Sequence, residues 1–186
     1  MESESEDRIE LRTERLLLRP FRFGDVDDIV VMGGFPRWDL SGPMPYTQSH
    51  AEELVAQTDL ASWRTNPRFA IVMEDKVIGS VSLAIKWENE TAEIGFSLDK
   101  KYWGKGITTE AVRAVVSWAF RGLGLAKVSS HADIRNVRSW RLMTKVGMVR
   151  EGVFRREEVI RGVRTSIVWY AILREEWTQN NEAEVL

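Results

Sequence analysis

The sequence predicts an α/β (α+β) domain: one mixed, mostly antiparallel sheet of about seven strands, with helices on both faces. Three observations predict it. Strand-like and helix-like segments interleave in the order β α α β β β α β α β β. Several strands follow one another through turns too short for a crossover, which demands antiparallel pairing. The chain has 186 residues, 44% hydrophobic and 29% charged, which suits one globular domain with a substantial core.

Ile9–Phe21 (IELRTERLLLRPF) reads as a strand, with Leu16 to Leu18 apolar among charges. Gly24–Gly34 reads as a short helix with acids in its first turn. Phe35–Tyr46 carries three prolines and reads as a loop. Thr47 caps a helix to about Ser62. Arg68–Asp75 and Lys76–Trp87 form a hairpin turning at Asp75-Lys76, and Thr91–Asp99 is a third strand. Ile107–Leu123 sets Ile107, Ala111, Val112, Val115, Trp118 and Ala119 at helical spacing, and glycine closes it. Lys127–Ile134 is a strand, and Asn136–Val146 a short helix ending at Gly147. Met148–Val159 and Val163–Leu173 make a last hairpin, turning at Arg161-Gly162. The domain therefore spans 9–177, and residues 1–8 and 178–186 read as polar, disordered tails.

Composition excludes several functions. No apolar run reaches the roughly 18 residues of a membrane span, and MESESED has no signal-peptide core. There is no cysteine, hence no disulfide, thiol nucleophile or thiolate-bound metal; a reducing, cytoplasmic setting fits. The two histidines, His50 and His131, read as structural or surface residues, and no metal is expected. A net charge of −2 does not suggest nucleic acid as a partner. Charge is unevenly spread: Lys100–Arg164 holds 15 Lys/Arg against 5 Asp/Glu, and the remainder 11 against 23. A basic half suits a polyanionic ligand, and an acidic half attracts a cation.

One stretch carries chemistry. KKYWGKGITTEA, Lys100–Ala111, lies between a strand and a helix. The first turn of a helix offers unpaired N–H groups, and glycines let a phosphate approach the backbone. The P-loop pattern fails here, with Asp99 and Gly106 at positions that pattern gives to glycine and to serine or threonine. The dinucleotide pattern fails at Thr109. Lys101-Tyr-Trp-Gly104-Lys-Gly106 fits R/Q-x-x-G-x-G/A, with Lys101 standing for Arg or Gln. That is the coenzyme A pyrophosphate loop of N-acetyltransferases.

The chain resembles the GNAT superfamily of N-acetyltransferases, within it the ribosomal-protein N-terminal acetyltransferase branch. The likeness covers roughly Glu10 to Trp177 and rests on TERLLLRPF, AEIGFSLDKKYWGKGITTEA, NVRSWRLMTKVGM and REGVFRREEVIRG, in that order. It implies the GNAT fold and acetyl-CoA as co-substrate. It implies that amides from Tyr102 through Trp103, Gly104, Lys105, Gly106 and Ile107 to Thr108 hold the pyrophosphate. It implies that Phe96, Ser97 and Leu98 pair with the pantetheine arm and donate a backbone N–H to the thioester carbonyl. Asn136 is implied to bind the pantetheine or cysteamine portion, and Lys145 the 3′-phosphate. Many members protonate the leaving thiolate with a tyrosine; here that position is Met143, so Ser139 is the implied thiolate partner.

The chemistry needs a base. A protein α-amine with pKa about 8 gives up roughly 1.4 kcal/mol to deprotonate at pH 7, and a lysine at about 10.4 gives up roughly 4.6 kcal/mol. Glu93 is the first candidate: it shares a strand face with Gly95 and Ser97, and Gly95 leaves room beside it. Glu151, on the late hairpin, is the second. Arg19 and Arg22 serve the first strand through ion pairs. Trp38, Trp63, Trp87 and Tyr46 read as core or rim packing, with a substrate groove as the alternative. The expected acceptor is a protein or peptide N-terminus. The alternatives are a small amine (polyamine, aminoglycoside or amino acid) and a CoA-binding regulatory module without catalysis, against which Glu93, Asn136 and Ser139 speak. The protein is expected to be a monomer or homodimer, with neither nucleic acid nor membrane as partner.

Overall fold

The computed structural model describes residues 9–33, 47–60, 63–160 and 162–183. In chain order these form β1 (Leu11–Arg12), β2 (Leu17–Pro20), α1 (Val26–Gly33), α2 (Gln48–Leu60), β3 (Arg68–Met73), β4 (Lys76–Lys86), β5 (Thr91–Leu98), α3 (Ile107–Arg121), β6 (Lys127–Asp133), α4 (Val137–Val146), β7 (Val149–Ile160), β8 (Val163–Leu173) and α5 (Arg174–Ala183). The eight strands make one sheet in the order β1-β2-β3-β4-β5-β6-β8-β7. Every neighbouring pair is antiparallel except β5–β6.

Period-two alternation explains the two layers around the sheet. On β3, Phe69 and Ile71 join the larger core, while Ala70 and Val72 join a smaller one. The larger core lies under α3 and α4 and includes Ala111, Val112, Val115, Val116, Ala119 and Met143. The smaller lies under α1 and α2 around Phe21, Ile29 and Val55. Each fully buried Val, Leu, Ile or Phe contributes about 1.5–3 kcal/mol of transfer free energy.

Three details differ from the sequence reading. Ile9–Phe21 is two strands, β1 and β2, paired Leu11↔Leu18 and Arg12↔Leu17. The turn between them is fastened from outside: Glu110 on α3 accepts from the Thr13 hydroxyl (2.6 Å) and the Arg15 N–H (3.0 Å). The β3–β4 turn falls at Glu74 and Asp75, one residue early, because both adopt positive φ (49° and 62°), as a tight two-residue hairpin requires. The last helix, α5, runs to Ala183, beyond Trp177, the expected end of the domain. Residues 1–8 lie outside the described residues.

α5 is anchored by Trp177, 6% exposed, whose ring lies 6.2 Å from Phe120 on α3. Trp177→Ala is expected to destabilise the protein by about 3–5 kcal/mol, the usual cost of emptying a buried aromatic site. Denaturant unfolding checks it; an unchanged midpoint would make α5 an appendage.

The entrance to α1 is held by a buried ion pair. Arg19 and Asp25 are 8% and 6% exposed and meet through two bonds, of 2.7 and 2.8 Å. Asp25 also accepts from the Arg22 N–H at 2.8 Å. Arg22 in turn pairs with Glu10 at 2.9 Å. Both arginines thus serve the first strands, as the sequence suggests.

Candidate active site

The site is built where the sheet parts. β5 and β6 pair over only three positions: Thr91↔Lys127, Ala92↔Val128 and Glu93↔Ser129. Beyond them β5 stays with β4 as far as Gly79↔Leu98, and β6 stays with β8 as far as Asp133↔Ile167. The Ser130 hydroxyl reaches the Ile94 carbonyl at 2.8 Å just where the strands separate. Backbone direction alternates along β5. The Asp99 N–H bonds to Ile78 on β4, whereas the Ile94 and Leu98 carbonyls bond away from β4. The N–H and C=O of Phe96 therefore also face the parting. That is the edge a strand-like ligand would need.

At one end of this opening lies the glycine loop. Gly104 and Gly106 adopt φ of 78° and 75°, a region that costs other residues about 1–2 kcal/mol. Gly106 caps α3, no side chain caps the helix, and its first backbone bond is Glu110 N–H to Gly106 C=O. The loop is braced on every side. Asp99 accepts from the Lys101 N–H (3.0 Å), and the Trp103 indole donates to the Leu98 carbonyl (2.9 Å). Arg138 lies over the Trp103 ring at 4.6 Å, and Lys105 Nζ over the Tyr102 ring at 5.5 Å. Arg15 donates to the Lys105 carbonyl (3.1 Å) while its Nε bonds Glu110 (2.7 Å). Ile107 is buried and Thr108 half-buried. The residues fit a pyrophosphate: amides at a helix start, a backbone no side chain obstructs at Gly104, and lysines nearby.

Asn136 and Ser139 come together at the start of α4. The Ser139 N–H donates to Asn136 Oδ1 at 3.3 Å, and Asn136 Nδ2 donates to Ser139 Oγ at 2.8 Å. Because Ser139 Oγ accepts here, its own hydrogen remains available to donate. Lys145 lies at the far end of α4, exposed, and its carbonyl takes a bond from Arg113 on α3 (2.9 Å).

Glu93 points to the opposite face, because its neighbours Ala92 and Ile94 are in the larger core. There it meets His131, which the sequence presents as a structural or surface residue. His131 Nδ1 sits 2.7 Å from Glu93 Oε1, and His131 Nε2 lies 4.0 Å from Glu158 Oε1. The Trp169 ring packs 4.7 Å from the imidazole, and Phe154 packs edge-on to Trp169 at 6.3 Å. The hydrogen bond with His131 holds the Glu93 carboxyl below its ordinary value, against burial, with the charges of His131 and Lys86 assisting. Asp133 is lowered likewise, chiefly by its Arg135 hydrogen bond. Groups lowered in the fold stabilise it fully above their unfolded values, about 4, and lose that contribution as pH falls through the lowered ones. Stability is thus expected to fall progressively below about pH 4 in acid titration.

Glu151 stands apart from this cluster. It pairs with Lys127 Nζ at 2.6 Å, at the closed end of the β5–β6 contact. Trp63 is core, packed on Phe69, and Trp87 caps the Arg64 carbonyl. Trp38 and Tyr46 lie outside the described residues. No group of three or more His, Asp or Glu side chains among the described residues could hold a metal ion.

The model of the acetyltransferase (GNAT) domain matches residues 15–149. The chain belongs to the GNAT acetyltransferase family. An uncharacterised N-acetyltransferase, p20, of Bacillus licheniformis is 30% identical over 173 residues, 90% of this chain and 97% of its own. The ribosomal-protein-serine acetyltransferase of Escherichia coli is 29% identical over 104 residues, 55% of this chain and 58% of its own. Among solved structures, RimL, a ribosomal α-N-protein acetyltransferase in complex with coenzyme A, superposes with a TM-score of 0.81 at 21% identity, covering 89% of this chain and 98% of its own. A spermidine N-acetyltransferase chimera from Vibrio cholerae superposes at 0.77 with 24% identity, covering 89% and 99%. The two structures share the GNAT fold with this chain, and they carry different acceptors in their names. The GNAT domain here is thus an acyltransferase.

Proposed function

We propose that the protein transfers acetyl from acetyl-CoA to the α-amine of a protein or peptide N-terminus. The observation that carries this is Glu93, an anionic carboxylate on the open face where β5 and β6 part, with Glu158 nearby. An ammonium group is drawn to such a site and must lose a proton there. A single carboxylate-based device serves an α-amine better than a lysine, whose deprotonation costs about 3.2 kcal/mol more. The matched ribosomal-protein-serine acetyltransferase supports a protein acceptor.

When bound, acetyl-CoA supplies a thioester whose C–S bond breaks as the amine nitrogen bonds the carbonyl carbon. The chain's own residues do the rest. Amides from Gly104 to Thr108 hold phosphate oxygens, with Lys101 and Lys105 adding charge; the Tyr102 and Trp103 N–H groups, expected to join them, instead donate to the Asp99 and Lys100 carbonyls (3.0 and 3.2 Å) in the tight turn before the loop. The Phe96 N–H faces the parting and donates to an oxygen placed there. Ser139, held by Asn136, donates its hydrogen to sulfur. Glu93, with His131 against it, serves the departure of the amine proton; Glu151, already paired with Lys127, is the lesser candidate.

Two otherwise identical peptides test the reading, one with a free N-terminus and a blocked lysine, the other reversed. Thiol release is expected to be faster with the free N-terminus. Faster release with the lysine peptide, or release only with a polyamine or aminoglycoside, overturns the acceptor.

A further inference from the structure

Resting on the amine-acetylating reading above, we propose that His131 Nε2 is the atom that first takes the acceptor's proton, and that Glu93 is the residue that positions it. The geometry is specific. The register Glu93↔Ser129 and strand alternation put His131 on the Glu93 face, two residues beyond the last β5–β6 pair. A carboxylate only accepts, so Glu93 Oε1 at 2.7 Å favours the neutral ring tautomer with hydrogen on Nδ1. Nε2 is then the basic atom. Trp169 holds the ring plane from one side, and about a third of the imidazole side chain is exposed.

Charge favours this assignment. Glu93 stabilises an imidazolium through Nδ1, and Glu158, at 4.0 Å from Nε2, is too distant for a hydrogen bond but close enough to stabilise it further. Among the charged groups nearby, Lys127 pairs with Glu151 and Asp133 with Arg135, and Lys86 acts on Glu93. Ordinary values also favour it. Passing a proton from an α-ammonium to a carboxylate is uphill by several thousandfold in equilibrium constant, and to an imidazole by only about thirtyfold. The proton leaves the ammonium for Nε2, and the freed lone pair attacks the acetyl carbon. The second amine proton leaves as the amide forms, and one proton reaches the departing sulfur.

The test compares His131→Gln and His131→Asn with wild type, using acetyl-CoA and whichever amine turns over fastest. Asparagine retains an N–H donor near the Nδ1 position for Glu93 but has no basic nitrogen. Both variants are expected to lose about 100-fold or more in kcat at neutral pH, with the KM for acetyl-CoA unchanged, and to recover above about pH 8 as the amine deprotonates itself. Full activity in His131→Asn would make the residue structural and overturn the proposal. A flat loss at all pH values would overturn it equally. A second readout needs no turnover. Nitrogen-15 spectra resolve His131 from His50, the only other histidine, by comparison with His50→Gln. The Nδ1–H tautomer is expected in wild type, released in Glu93→Gln. An Nε2–H tautomer in wild type sinks the assignment even if the acceptor proves to be a different amine.

Discussion

Gly106→Val is expected to abolish acetyl-CoA binding while the fold survives. Gly106 holds φ of 75°, and a side chain there costs about 1–2 kcal/mol of backbone strain. Space is not the obstacle: a Cβ would meet Arg15 Nη2 at 3.7 Å, an ordinary contact. The protein can therefore remain folded, with melting lowered by about 2–8 °C. Binding suffers twice. Relief of the strain turns the peptide planes away from the direction in which the amides of Ile107 to Thr109 now point. The branched side chain also stands where a pyrophosphate would approach. Calorimetry with acetyl-CoA checks it, and unchanged affinity would move the phosphate site elsewhere. In wild type the affinity should also weaken as salt rises, since the ligand is polyanionic.

Asp25→Ala is expected to destabilise the protein by about 3–5 kcal/mol. The substitution leaves the Arg19 guanidinium buried without its two carboxylate bonds and strands the Arg22 N–H as well. For a chain this long, that loss lowers the melting temperature by about 6–20 °C. A companion variant identifies the cause. Arg19→Met combined with Asp25→Ala has no stranded charge and should recover part of the loss. If the double variant is as unstable as the single one, the damage comes from the cap on the turn before α1 and not from the buried charge.

Much of the fold could be read from local pattern, and the misses share one physical cause. The loop at Gly104 and Gly106 was legible because glycine pairs, a helix start and a preceding strand lie within about ten residues. The helix capped by Asn136 was legible for the same reason. The β1–β2 turn was not, because its fastening to Glu110 is 97 residues away from Thr13. α5 was missed because one anchor, Trp177, sits among polar residues that read as tail. At the site, the carboxylate Glu93 could be chosen from its strand and its resemblance. His131 could not be matched to it, because the β5–β6 register passes through the whole of α3 and no sequence rule supplies it. Glu158 is further hidden, since the strand bulges between Phe154 and Glu158 and Arg156 takes a φ of 56°.

The three-pair contact between β5 and β6 has a mechanical consequence. It is a seam joining two blocks of sheet, β1 to β5 and β6 to β8, each of which is far more extensively laced within itself. Subglobal opening should begin along that seam, at a free energy below that of full unfolding. A ligand lying in the parting would act as a stitch across it. At a hundred times its dissociation constant, acetyl-CoA would add about 2.7 kcal/mol to the stability of the whole. The slowing of amide exchange should then be largest in the backbone on either side of the seam, at Phe96 and along β6, rather than spread evenly over the sheet.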